Sequence, residues 1–345
     1  VEFMAKVRVG VIGFGTIGER LADGVALQED MELVGVCDIA PSVPVRALIV
    51  SKKGYPIYCG LAEKIKNLEA AGARVSGTID DLLKQVDIVC DATSPGVGLK
   101  NQEKYKSAGV KAIFQAGEKV RIGNIQFNSM ANYDKAFGGD YLHILSCNTT
   151  GIARCVSLVD RKIGVEKVNI VIIRRAADVS ETHKGPVDAA IVQKVPSHQC
   201  EDIMAVSPHI KALSIVVTVP ITHGHVQTIQ MMCNKETSKD EILNIFKSSK
   251  RLEIFKIEDG FLSNSHIFDY CRDLGLARAD MYECPVWDET IYVNGREVWF
   301  TQMIPQESIV IPENIDGIRA AMKMQDNYQD AINETDRYLN MGGKI

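Results

Sequence analysis

The sequence predicts an α/β protein in two parts: a parallel, doubly wound N-terminal half and a second α+β half built on a mostly antiparallel sheet. Three observations carry that reading. A β-rich run passes through closely spaced glycines straight into a helical pattern at the start of the chain. Short apolar runs and helical stretches then alternate as far as Gln115, the order expected of a parallel sheet flanked by helices. After Cys147 the alternation gives way to long strands joined by polar loops.

At 345 residues the chain can hold two domains of ordinary size, and its 46% apolar and 24% charged residues suit a globular protein. The net charge of −5 gives no reason to expect nucleic acid or an anionic membrane as partner. No apolar run approaches the ~20 residues that span a bilayer. The N-terminus lacks a signal-peptide layout, and Val1-Glu2-Phe3 ahead of Met4 reads as a cloning remnant with Met4 the expected native start. Nine cysteines, an odd number with no C-x-x-C pair and no His–Cys cluster, suggest free thiols in a reducing, cytoplasmic compartment and no metal site.

Val7-Arg-Val-Gly-Val-Ile12 reads as a strand leading into Gly13-Phe-Gly15-Thr16-Ile17-Gly18, and a helix follows to about Leu27. Strand, G-x-G-x-x-G and helix in that order is the context in which the glycines let backbone approach a pyrophosphate while the helix N-terminus holds its charge. An N-terminal Rossmann domain is therefore expected, with Gly13, Gly15, Thr16, Ile17 and Gly18 at the cofactor. The second strand ends at Asp38, 20 residues past Gly18. An acidic group there accepts from ribose hydroxyls and repels a 2′-phosphate, which favours NAD over NADP; the competing reading is a turn residue ahead of Pro41.

Helices are expected at 45–53 and 62–71, a short strand at 74–78, a helical turn at 80–84, strands at 88–91 and 112–115, and a helix at 100–108. Ligands of open parallel sheets bind beyond the carboxyl ends of the strands, so Thr93 and Gly117 join the cofactor-loop candidates. Tyr141 to Ser146 is the expected last strand of this domain, and it delivers Cys147 to the sheet edge. The turn Ser146-Cys147-Asn148-Thr149-Thr150 then opens a helix. A sulfur at a helix N-terminus is favoured as thiolate, hence as a nucleophile toward a carbonyl carbon. A buried, inert cysteine is the alternative.

In the second half, Val168 to Arg175 is a long strand ending in Arg174 and Arg175, which could clamp a phosphate or carboxylate or form a structural ion pair. A helix-like stretch at 187–192 leads to Pro196-Ser197-His198. Strands at 213–219 and 226–232 flank a loop holding His223 and His225, the best-placed histidines for a base. Helices are expected at 237–251 and 263–274, a hairpin turning at Asn294-Gly295, and two terminal helices between Glu313 and Leu339. The implied domains are 1–146 for the nucleotide, 147–304 for catalysis, and 305–345 folding back onto the nucleotide domain.

With these residues in place the chain resembles the archaeal-type (type II) glyceraldehyde-3-phosphate dehydrogenases from Met4 onward. The matching positions are Gly13-x-Gly15-Thr16-Ile17-Gly18, Gly117-Glu118-Lys119, Ser146 to Thr150, Arg174-Arg175-Ala-Ala-Asp178, Lys184-Gly185-Pro186, Pro196-Ser197-His198, His225, and Gln306-Glu307-Ser308 with Pro312-Glu313-Asn314. The resemblance implies Cys147 as nucleophile and His225 as base. It places Ser146 and Asn148 beside the substrate, and Thr16, Ile17, Gly117, Arg175 and Gln306 at the cofactor. It also implies a homotetramer acting on glyceraldehyde 3-phosphate and inorganic phosphate. Arg174, His198, Gln199 and Cys200 complete the substrate candidates.

Three departures stand out. Asp38-Ile39 replaces the family's Lys-Thr pair and points to NAD, with NADP still possible. His198-Gln199-Cys200 replaces its His-His-Gly. In His223-Gly224-His225-Val226-Gln227 the first histidine of its Leu-Met-His-x-His is kept and the second becomes Gln227. A related acyl-phosphate-forming semialdehyde dehydrogenase and a nucleotide-binding redox sensor are the other readings.

Overall fold

The computed structural model describes residues 5–115, 122–176, 188–221 and 223–342. The chain divides into two compact units. One gathers Val1–Ser129, Tyr133–Ile144 and Ile311–Leu339; the other gathers Met130–Asn132, Leu145–Val310 and Asn340–Ile345.

The first unit is built around the strand β1 (Val7–Ile12), whose Val9, Val11 and Ile12 are buried, as a strand covered on both faces requires. It continues through α1 (Thr16–Ala26), β2 (Met31–Asp38), α2 (Val43–Val50), β3 (Ile57–Cys59), α3 (Ile65–Ala70), β4 (Val75–Thr78), α4 (Ile79–Leu83) and β5 (Ile88–Asp91). Then come α5 (Gly98–Ala108), β6 (Lys111–Phe114) and β7 (Ile125–Phe127); α6 (Ser129–Ala136) and β8 (Tyr141–Ile144) follow in the chain. The strands pair in the order β4-β3-β2-β1-β5-β6-β8-β7, every pairing parallel. The doubly wound α/β class expected from the glycine motif and the alternation is the one observed. Strands β3 and β7, three residues each, were not anticipated.

The second unit opens with α7 (Cys147–Lys162) and β9 (Val165–Arg175), then β10 (Ile191–Val192), α8 (His198–Val206), β11 (Lys211–Val219) and β12 (His225–Cys233). It closes with α9 (Lys239–Lys247), β13 (Leu252–Phe255), α10 (Asn264–Asp273), β14 (Cys284–Trp287), β15 (Tyr292–Asn294) and β16 (Glu297–Ile304). Its sheet runs β10-β11-β9-β12-β16-β14-β13, with β15 on β16. Only the β9–β11 and β13–β14 ladders are parallel, so the mostly antiparallel expectation holds. Along β12, buried and half-buried residues alternate from His225 to Cys233, and the buried row faces α7 through Gln227. The hairpin turns at Asn294-Gly295 as expected, with Gly295 at φ +60°.

Two local readings are corrected. Ile191 and Val192 form the exposed edge strand β10, not a helix. Residues 198–206, for which the sequence suggested no element, form the helix α8, which buries Cys200, Ile203 and Val206 on one side. The terminal helices are α11 (Ile311–Ala321) and α12 (Tyr328–Leu339), both within the first unit. Fully buried Arg319 of α11 ties them down, donating to Gln28 Oε1 at 2.7 Å, to Thr335 Oγ1 of α12 at 3.0 Å, and to Asp30. Among the described residues no helix is long and apolar enough to cross a membrane.

On β13, burial and then the neighbouring Glu283 raise the Glu253 carboxyl from 4.5 to about 7. Between those values the unfolded chain releases a proton that the folded chain keeps. This group's effect on stability is therefore nil below about pH 4.5, grows more unfavourable as pH rises toward 7, and is constant above. Replacement Glu253→Gln should flatten that part of the thermal midpoint against pH; an unchanged slope would assign it to other groups.

Candidate active site

Strand β1 lies between β2 and β5, so the loops leaving the three strands meet at the carboxyl edge where the winding reverses. Gly13 holds φ at +85° and donates its N–H to Cys37 O at 2.8 Å. A Cβ on Gly18 would stand 1.9 Å from Gly13 O, so only glycine lets α1 start so close under the strand. At the N-cap position of α1, Gly15 offers no side chain to the helix N–H groups, and a Cβ there would meet nothing within 4 Å. Uncapped N–H groups of Thr16, Ile17 and Gly18 beneath open space fit a dinucleotide pyrophosphate.

Two carboxylates brace this edge. Asp38, at the end of β2, accepts from Phe14 N at 2.9 Å through Oδ2, and from Ile39 N at 2.7 Å and Ala40 N at 3.1 Å through Oδ1. Each oxygen keeps acceptor capacity for a ribose hydroxyl. Asp91, at the end of β5, is fully buried and binds Thr93 N at 3.0 Å, the Thr93 hydroxyl at 2.5 Å, Asn101 Nδ2 at 3.0 Å and the Tyr105 hydroxyl at 2.6 Å. Burial, with Asp91 next, pushes the Tyr105 phenol well above its usual range, so it stays a donor. The sequence reading passed over Asp91; an acid at a strand end with Asn and Tyr four residues apart on the next helix was the available signal. Gly117 lies outside the described residues, as do Glu118, Lys119, Asp178, Lys184, Gly185 and Pro186.

In the second unit Cys147 is the first residue of α7. Ser146 caps the helix: its Oγ accepts from Thr149 N at 3.4 Å and its carbonyl from Thr150 N at 2.8 Å. All nine cysteines are free thiols, and Cys147 is the one that is not buried. Burial raises the thiols of Cys37 and Cys155, that of Cys90 to about 12, and those of Cys233 and Cys271 to about 11, which leaves them protonated and unreactive. The alternative of an inert core cysteine thus describes the other eight.

Asn148 is buried and points its Nδ2 at Cys147 Sγ, 4.0 Å away. Its Oδ1 and its backbone carbonyl both accept from Gln227 Nε2, at 2.8 and 3.2 Å. His225 and Gln227 share the α7-facing side of β12. Nδ1 of His225 accepts the Arg175 backbone N–H at 3.1 Å, so a neutral imidazole carries its proton on Nε2.

Alternation along β9 separates the two arginines. Arg174 is exposed and extends the row of Ile170 and Ile172, the side of Gln227, whereas Arg175 is buried in an ion pair with Glu307 at 2.6 Å. His198 is the exposed first residue of α8, a helix joined to α7 by the Thr149 hydroxyl donating to Asp202 Oδ2 at 3.1 Å. Gln199 and Cys200 are buried: Gln199 Oε1 accepts from the Ser197 hydroxyl at 2.7 Å and Cys200 Sγ donates to Ser197 O at 3.0 Å. The structure thus places Ser146, Cys147, Asn148 and His225 on adjoining parts of α7 and β12, and turns Gln199 and Cys200 into the packing of α8. His223 sits apart, its Nε2 against an Arg272 amine at 3.1 Å and its ring on Phe268. Gln306 is half-buried beside Glu307 in the chain. Among the described residues no cluster of His, Cys, Asp or Glu could hold a metal ion.

Comparison with known proteins places the chain among its relatives. A family model described as glyceraldehyde 3-phosphate dehydrogenase, C-terminal domain, matches residues 146–289, and one described as dihydrodipicolinate reductase, N-terminus, matches residues 7–116. The chain is 39% identical to the glyceraldehyde-3-phosphate dehydrogenase of Methanothermus fervidus over 96% of this chain and 98% of that protein. It is 40% identical to that of Thermococcus kodakarensis, over 97% and 98%. In fold it is similar to aspartate semialdehyde dehydrogenase II of Vibrio cholerae, with TM-score 0.66 at 11% identity over 93% of this chain and 99% of that one. A glycine turn suited to a dinucleotide, one accessible thiol at a helix N-terminus and near-full-length kinship lead to one conclusion: the chain belongs to the glyceraldehyde-3-phosphate dehydrogenase family.

Proposed function

We propose that this chain oxidises glyceraldehyde 3-phosphate to 1,3-bisphosphoglycerate, with NAD as hydride acceptor and inorganic phosphate as second substrate. The observation that carries the reading is Cys147: one accessible thiol among nine, at the start of a 16-residue helix, with an amide donor 4.0 Å away.

The Cys147 proton leaves to solvent, a loss favoured by the helix N-terminus. The thiolate adds to the aldehyde carbon, forming a C–S bond and driving the carbonyl electron pair onto oxygen. Asn148 Nδ2–H, which faces the sulfur, is the proposed donor to the resulting alkoxide, and Nε2–H of His225, in the tautomer set by Arg175, is the second. In that tautomer the ring acts as a donor; the role of base suggested by the sequence requires the Nδ1 contact to be released. When bound, the nicotinamide supplies the hydride acceptor that takes the Cys147 adduct to a thioester. A phosphate oxygen then attacks the thioester carbon, the C–S bond breaks, and the thiolate returns to Cys147 as the acyl phosphate departs. Arg174 and His198, both exposed, are the candidates for the substrate's own phosphate.

Gly13, Gly15, Thr16, Ile17, Gly18 and Asp38 would hold the dinucleotide, with Gly117, Arg175 and Gln306 as further contacts. The domain roles proposed are 1–146 for the nucleotide, 147–304 for catalysis and 305–345 as the returning tail. The free thiols support a cytoplasmic setting. A homotetramer is supported by the sheet face opposite α7, where Val171, Leu213, Ile215 and Trp299 are exposed together. Sedimentation equilibrium should return four times the chain mass of 38.0 kDa; a monomer would reject this assembly.

With the purified protein, NADH should keep accumulating only when both the triose phosphate and inorganic phosphate are supplied; without phosphate it should stop at about one equivalent per chain, as the thioester forms. Cys147→Ala should lower turnover by at least about 10³-fold, and full activity in that variant would sink the covalent scheme. Asp38→Lys should shift preference from NAD toward NADP by about tenfold or more in kcat/KM, removing one repulsion and adding one attraction. Unchanged preference would mean that Asp38 does not face the ribose.

A further inference from the structure

Behind Cys147 a chain of side-chain hydrogen bonds runs through the interior of the second unit, with the Cys284 thiol joining it at Gln302 Oε1 at 3.5 Å. The Cys155 thiol donates to Gln302 Oε1 at 2.9 Å, Gln302 Nε2 donates to Gln227 Oε1 at 2.7 Å, and Gln227 Nε2 donates to Asn148 Oδ1 at 2.8 Å. Asn148 Nδ2 then faces Cys147 Sγ at 4.0 Å. Gln227, Gln302 and Cys155 are completely buried, and Asn148 nearly so. Gln227 and Gln302 are direct cross-strand partners on β12 and β16, and Asn148 and Cys155 lie two turns apart on the side of α7 that meets them.

An amide chain of this kind could run in either direction, because each amide has a donor end and an acceptor end. A backbone group removes the ambiguity. Gln227 Nε2 also lies 3.2 Å from the Asn148 carbonyl oxygen, and that oxygen can only accept. The end of Gln227 facing α7 must therefore be its NH₂. This forces Asn148 to present Oδ1 to Gln227 and to turn its own NH₂ toward Cys147. At the far end, burial raises the Cys155 thiol well above its ordinary range, so it remains a donor to Gln302. Close approach of α7 to β16 makes the chain possible: a Cβ on Gly151 would stand 2.2 Å from Ile304 Cδ1.

We propose that Gln227 and Gln302 are positioning residues for the reaction at Cys147, holding the Asn148 amide with its donor toward the sulfur and toward the oxygen of the adduct formed there. The proposal rests on the nucleophile assignment above. Neither glutamine touches the reacting atoms; each acts through Asn148. Reversing one link would turn the Asn148 carbonyl oxygen onto the thiolate, placing an acceptor against an anion.

A double-mutant cycle tests this, read by steady-state kinetics and by the pH dependence of iodoacetamide alkylation at Cys147, located by peptide mass. Gln227→Met, similar in volume but unable to donate, should lower kcat about tenfold, the worth of one charge-assisted hydrogen bond, with KM little changed. The pH at half-maximal alkylation should rise as well. In an Asn148→Ala background the same substitution should add nothing to either reading. Gln302→Met should act in the same direction, more weakly, and also fall silent without Asn148; it serves if Gln227→Met does not fold. Equal losses in both backgrounds, or an unchanged kcat and alkylation profile in the single variants, would overturn the relay. Retained turnover in Cys147→Ala is a separate result, which would reject the nucleophile and not the geometry behind it.

Discussion

The second unit depends on how one helix meets one sheet. α7 lies on β9, β12 and β16 with its first turn over the start of β12, and the contact mixes apolar packing with a buried polar seam. A buried amide left without a partner costs about 1–3 kcal/mol, so every lone pair and N–H along that seam constrains the position of its neighbour. Arg154, two turns into the helix and fully buried, adds a second constraint by donating to the carbonyls of Tyr282 at 2.7 Å and Ile309 at 2.8 Å. The helix can neither rotate nor slide without breaking several of these bonds together. The sulfur at its tip is therefore placed by groups far from it in sequence.

The first unit solves a different problem by similar means. A tight glycine turn has little stiffness of its own, and here the backbone on each side is held by a carboxylate at a strand end. Asp38 gathers the N–H of Phe14, and Asp91 gathers the Thr93 loop together with two side chains of α5. Negative charge beside a loop suited to an anion looks counterproductive, but both carboxylates are committed to N–H and O–H donors. Both supply shape; Asp91, fully buried, exposes none of its charge, while half-buried Asp38 keeps acceptor room beside the loop.

Much of this was legible in the sequence because it is local. Gly13 to Gly18 follow a strand and open a helix, Asn294-Gly295 turns a hairpin, and Ile242, Ile245 and Phe246 mark the inner face of α9 within a dozen residues. Cys147 was legible for the same reason, since the capping residue Ser146 and the thiol are neighbours. The short strands β3 and β7 carry too few residues for a period to show. The helix α8 was hidden by Pro196 and by polar residues in its first turn, and its assignment depends on burial against β11 that no local pattern reports. The relay was invisible for a sharper reason. Gln227 is 79 residues from Asn148 and Gln302 is 147 from Cys155, and glutamine in an apolar strand reads as an interruption until the facing strand is known.

The eight buried thiols carry a consequence of their own. Burial holds several of them as neutral S–H groups, and it keeps all eight from solvent. Toward a thiol-directed electrophile in solution, a chain with nine thiols thus behaves as if it had one. Titration with a thiol reagent becomes a count of competent sites, and cysteine oxidation in the folded protein is directed to the one sulfur that the proposed chemistry uses.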